Sequence, residues 1–142
     1  MRPASIEQFE RFYLGAVVLG VLNFVFNFGE MTSQMAQVQF GIVFLIGAAL
    51  FGLGFNMLFW FLIARRASNG AKWVLTVLTA IGVVSMVARW QLYTAFSPLR
   101  LTLSLLVLVL QVIALAYLFR TDAVIWLKSK GRQGPVDVAT FE

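Results

Sequence analysis

The side chains able to do chemistry in this 142-residue chain are few: eleven basic groups, six carboxylates and a small set of amides and hydroxyls. Cysteine and histidine are both absent. Without cysteine there is no disulfide, thiolate nucleophile or sulfur ligand for a metal. Without histidine the chain lacks the commonest metal ligand and the group most used to move protons near neutral pH. A Ser-His or Cys-His pair is therefore excluded. The carboxylates do not cluster inside any apolar run, and Glu7 and Glu10 belong to a solvated face. No Gly-rich phosphate loop, G-x-S-x-G elbow or H-E-x-x-H motif occurs. These absences imply no catalytic residue, no metal site and no cofactor, and so a protein that is not an enzyme.

What remains is a set of polar groups embedded in apolar sequence. In the stretch "LNFVFNFGE", Asn23 and Asn27 are one helical turn apart and share a face. Asn56 interrupts a second apolar run, Thr76, Thr79 and Ser85 a third, and Ser104 and Gln111 a fourth. An amide in hydrocarbon must find a partner. Two readings follow for Asn23, Asn27, Asn56 and Gln111. They tie helices together at about 0.6–2 kcal/mol each, or they line a polar path for a solute. No ionisable residue stands near the middle of an apolar run, which counts against a proton-coupled pump or a voltage sensor. Near the run ends, Glu30 and Arg89 are candidates for an ion pair at the outer rim, the alternative being two solvated charges.

The elements that must position these groups follow from composition. The chain is 61% hydrophobic and 12% charged, with a mean hydropathy of +0.87. A chain this short cannot hide that much apolar surface in a core of its own. Lipid is the economical solvent, and a spanning helix needs about 20 apolar residues. Four runs qualify: about 12–28, 40–64, 73–92 and 99–119. Short amphipathic helices over about 5–12 and 122–130 flank the first and last, and 131–142 is a polar tail. Ser5 and Gln8 have capping-box spacing, Ser97 can cap and Pro98 suits the first turn of a helix. Thr121 or Asp122 opens the last short helix and Gly131 closes it. The expected fold is all-α, an integral membrane four-helix bundle in one domain.

Charge sets the orientation. With both termini cytoplasmic, Arg2, Arg11, Arg65, Arg66, Lys72, Arg120, Lys128, Lys130 and Arg132 lie inside, and Arg89 and Arg100 outside. This positive-inside bias agrees with four spans. It also places Trp60, Trp73 and Trp126 at the inner interface, with Trp90 and Tyr93 at the outer one. The bias opposes a dual-orientation antiparallel dimer, the arrangement of some small exporters and fluoride channels. The basic groups flank apolar runs and form no stripe on a polar surface, which argues against nucleic acid. Arg65, Arg66, Lys72, Arg120, Lys128 and Lys130 are candidate contacts for anionic lipid headgroups, or only topology signals. Small residues at Ala16 and Gly20, and at Ala48 and Gly52 with Gly47 and Gly54 nearby, mark places where helices touch, within the chain or between copies.

The opening "RPASIEQFERFYLG" and the closing "YLFRTDAVIWLK" resemble the ends of small, uncharacterised four-span proteins of the bacterial inner membrane, and the loop "ARRASNGAKW" is compatible with them. The resemblance covers the termini and the span layout. It implies a bacterial cytoplasmic membrane and the same topology, and it transfers no activity. The expected role is a scaffold or accessory subunit working through transmembrane helix contacts, with membrane lipids, other subunits or a second copy as partners. A small channel or transporter lined by the four amides, and headgroup binding at the cytoplasmic face, are the alternatives.

Overall fold

A computed structural model describes residues 2–35, 40–91 and 97–131. They form six helices: α1 Ala4–Phe26, α2 Phe28–Met35, α3 Gly41–Ala64, α4 Asn69–Ala88, α5 Pro98–Leu118 and α6 Thr121–Lys128. The helices α1, α3, α4 and α5 are long and apolar enough to cross a membrane, so the chain is an all-α membrane bundle of four helices. Tyr93, Arg132 and the tail beyond Gly131 lie outside the described residues.

The spine of the bundle is the antiparallel pair α1 and α5, whose contact is the most extensive in the molecule. Phe12 stacks on Tyr117 with ring centroids 5.6 Å apart near one end. Towards the other end Asn23 donates to Ser104 Oγ at 3.1 Å. The helices α3 and α4 lean on this spine most closely at one end. There Ile6, Phe9 and Tyr13 of α1 meet Phe59 and Ile63 of α3, Leu75 of α4, Leu118 of α5 and Trp126 of α6 in one buried cluster. This end also carries Arg65, Arg66, Lys128 and Lys130, and is called the basic end below.

Towards the far end the packing thins. Phe44, Leu50 and Phe51 of α3 and Ile81, Val84 and Val87 of α4 are all exposed. Only 6% of the most apolar stretch of α3 is buried within the chain. In water such a surface would collapse; in lipid it carries no hydrophobic cost, because acyl chains are as apolar as leucine.

Several local expectations change. The first apolar run and the amphipathic segment before it are one continuous helix, α1. Its N-cap is Pro3, in extended geometry at φ −67° and ψ 151°. Ser5 is therefore not a cap: it is buried inside the helix, and its hydroxyl donates to Asp122 Oδ1 at 2.8 Å, tying α1 to α6. Burial raises the Asp122 carboxyl, but hydrogen bonds from Ser5 and from backbone N–H groups outweigh it and hold the group below the usual aspartate range. Neither Thr121 nor Asp122 caps α6, whose N-cap is Arg120.

The polar residues after Phe28 form the helix α2 as far as Met35. Thr32 and Ser33 return their hydroxyls to the Gly29 and Glu30 carbonyls, so side chains expected to favour a loop stay inside the helical pattern. At the basic end α4 starts at Asn69, earlier than its apolar run. Ser68 Oγ accepts the Ala71 N–H at 3.2 Å and makes the cap.

Candidate functional site

Three polar groupings are assembled by these helices. The first follows the α1–α5 seam to the far end. Asn23 Nδ2 donates to Ser104 Oγ, and the Asn27 amide donates back to Asn23 Oδ1 at 2.8 Å and to the Asn23 carbonyl at 2.9 Å. Asn27 is buried at the C-cap of α1, where the chain turns into α2. The Ser97 hydroxyl lies 3.3 Å from Asn27 Oδ1 and donates to Glu30 Oε2 at 2.9 Å. Arg100 Nη1 is 3.3 Å from Glu30 Oε1 and 3.5 Å from Gln34 Oε1.

This corrects the expected Glu30–Arg89 pair. Glu30 pairs with Arg100, because Arg100 stands in the first turn of α5, the helix packed against α1, while Arg89 caps the far end of the outlying α4. Ser97 likewise is not a side-chain cap for α5, its hydroxyl being directed to Glu30, while Pro98 does sit in the first turn.

The Ser97 hydrogen bond, helped by Arg100, holds the Glu30 carboxyl below the usual glutamate range. A carboxyl lowered on folding stabilises the fold above its ordinary value of about 4.3, and that contribution is lost as pH falls through the lowered value. The expected result is that Glu30→Gln lowers the melting temperature at pH 7. At pH values below the lowered one, where the native carboxyl also takes a proton, the variant and the parent melt together. A pH-independent difference in scanning calorimetry would refute the pairing.

The second grouping joins α1 to α3. The hydroxyl of Tyr13, itself buried, donates to Asn56 Oδ1 at 2.9 Å. The Asn56 amide returns to the Gly52 carbonyl at 2.8 Å. Above this link α1 and α3 part, leaving a cleft of about 460 Å³ between α1, α3 and α5. Asn23, Asn56 and Gln111 all border it, among apolar neighbours such as Val17, Leu50 and Val107. Asn27 does not line it, so the four amides expected to form one path are not brought together. Asn23, Asn27 and Asn56 spend their donors on helix contacts, and only Gln111 makes no hydrogen bond to the described residues.

The third grouping is the basic end. Arg65 is not simply a headgroup contact: it faces Glu10 at 3.6 Å, and Glu10 also takes Arg2 at 2.8 Å and the Trp60 indole N–H at 3.2 Å. Lys72 is only 3% exposed, its ammonium 4.7 Å from the Phe119 ring centroid and 5.2 Å from that of Trp73, which removes it from the headgroup surface expected of it. Arg120 lies over Tyr117. Arg66, Lys128 and Lys130 share the wall of one cavity. That convergence was not legible in sequence, since the loop after α3 and the last helix are some sixty residues apart.

Of the small residues, Ala16 is buried, but the glycines are left open by the described residues. A Cβ built on Gly20, Gly47, Gly52 or Gly54 would meet nothing within 4 Å. Among the described residues no group of three or more Asp or Glu side chains could hold a metal ion. Compared with known proteins, the chain matches no family model, no curated protein and no solved structure.

Proposed function

We propose that this protein is a non-enzymatic scaffold or accessory subunit of a bacterial cytoplasmic membrane, working through contacts of its transmembrane helices. In this reading the basic end is cytoplasmic, with both termini there, as the distribution of arginine and lysine favours.

The observation that carries the proposal is the state of α3. Gly47, Phe51 and Gly54 fall on one helical face, and nothing among the described residues covers it. In lipid, helices associate by close van der Waals packing, which small residues permit and bulky ones prevent. Two glycines flanking an aromatic ring on an otherwise uncovered span suit a second helix, from another subunit or from a second copy. The competing role, a solute path, is favoured less. Of the amides that border the cleft, Asn23 and Asn56 are engaged between helices, and Tyr13, Phe59 and Ile63 belong to the buried cluster at the basic end.

The test is Gly47→Leu. A Cβ added there meets nothing within 4 Å among the described residues, and leucine is a better helix former than glycine by about 0.8 kcal/mol. The fold should therefore survive unchanged, while complexes seen after crosslinking in membranes should be lost. A variant that assembles like the parent would sink the proposal.

A further inference from the structure

The basic end holds a second cavity, of about 450 Å³, between the loop joining α3 to α4 and the helix α6. Arg66, Lys128 and Lys130 border it, with Ser68, Asn69 and Gly70 at the start of α4. All three cations are exposed, and none joins an ion pair among the described residues, where Arg2 and Arg65 pair with Glu10 and Arg100 with Glu30. Arg66 lies with its guanidinium 5.8 Å from the Phe61 ring centroid. A cation–π contact of this kind uses none of the guanidinium N–H groups as hydrogen-bond donors to an oxygen, so they are left for an acceptor. Lys72, just behind, is close enough to Lys128 for their charges to repel. The cavity thus gathers positive charge that the described residues do not neutralise.

The backbone adds donors of the same sign. At the start of α4 the Ala71 N–H is taken by Ser68 Oγ and the Lys72 N–H by the Ser68 carbonyl. The N–H groups of Asn69 and Gly70 have no acceptor among the described residues, and both residues border the cavity. The turn that presents them is held in place: Ala67 is buried in a left-handed conformation at φ 49°, and the Ser68 N–H reaches back to the Leu62 carbonyl at 3.0 Å.

A guanidinium fork, two ammonium groups and two backbone N–H groups call for a compact anion with several acceptor oxygens, which is the chemistry of phosphate. The cavity lies at the level of Trp60, Trp73 and Trp126, where aromatic side chains mark the membrane–water boundary and phospholipid phosphates sit. We propose that this cavity binds a phosphate group, supplied in the membrane by an anionic phospholipid headgroup. The proposal stands whether or not α3 binds a partner helix.

The experiment is native mass spectrometry of the full chain released from nanodiscs of mixed phosphatidylglycerol and phosphatidylcholine. The parent should retain phosphatidylglycerol preferentially. Arg66→Gln with Lys128→Gln should reduce that preference by about fivefold for each cation removed. Asn69→Pro gives an independent readout. Proline is suited to the first helical position, and Ser68 before it already has the extended ψ of 106° that a following proline requires. That variant should keep the parent's melting temperature while losing a backbone donor and part of the preference. Arg120→Gln, at the same end but outside the cavity, should leave the preference intact.

A double variant that keeps the preference would overturn the site. So would an Arg120→Gln that loses as much, since the attraction would then be that of a diffuse basic surface. Inorganic phosphate titrated into lipid-free protein separates the sources. Binding that depends on Arg66 and Lys128 without any preference among lipids keeps the phosphate site and overturns its lipid origin.

Discussion

Phe9→Ala is expected to lower the unfolding free energy of the chain in micelles by about 2 kcal/mol, while Phe51→Ala, at a residue of the same size, changes it by less than about 0.5 kcal/mol. Phe9 is fully buried and Phe51 is 74% exposed. In water, truncating a buried phenylalanine costs about 3–5 kcal/mol, which sums a transfer part and a cavity part. In a membrane the unfolded helices already lie in hydrocarbon, so most of the transfer part vanishes and the cavity part remains. The cavity would open in the buried cluster to which five helices contribute: Phe9 packs on Tyr13 with ring centroids 5.2 Å apart, alongside Ile63 and Leu118. Unfolding in increasing SDS, followed by circular dichroism, measures both variants. Equal losses would mean that the bundle is held along its whole length and not at its basic end.

The second large effect belongs to Asn23. Asn23→Leu removes the donor to Ser104 and the side-chain acceptor of Asn27. It leaves the Ser104 hydroxyl and one arm of a buried amide short of a partner. Interhelical hydrogen bonds in membranes average about 0.6 kcal/mol and reach about 1.7, and an orphaned polar group adds to that. A loss of about 1–2 kcal/mol is expected. A double-mutant cycle with Ser104→Ala should return a coupling near 0.6 kcal/mol or above. Gln111→Leu, which breaks no hydrogen bond to the described residues, should cost nothing measurable and leave solute flux unchanged. Were Gln111→Leu the more damaging change, the polar groups would be serving the cleft and not the seam.

The spans were legible because membranes impose a length, and runs of apolar residues near that length admit few other readings. The Asn23–Asn27 contact was legible too, since a spacing of four forces two side chains onto one face. Partners across helices were not. Glu30 had two arginines near it in the predicted topology, and a charge carries no direction along the chain. Only the close pairing of α1 with α5 selects Arg100. Ser5 showed a capping spacing, yet its hydroxyl serves Asp122 on a helix 117 residues away. The segment after Phe28 is polar and carries no apolar run, yet it is helical to Met35, its Thr32 and Ser33 hydroxyls bonded back to carbonyls of the preceding turn. Glycine spacing marked close approach, but sequence cannot say whose helix approaches. The described residues leave those glycines open.

The most direct test uses the absence of cysteine, which makes any single introduced thiol a clean probe. Phe51→Cys places one on the uncovered face of α3 and Ile63→Cys places one in the closed core. Both are treated with a short bis-maleimide in native membranes, and the mass of the product is read. The expected result is a species heavier than the monomer from Phe51→Cys alone, lost when Gly47→Leu is added. A Phe51→Cys protein that stays monomeric, like the Ile63→Cys control, would contradict a role built on helix contacts.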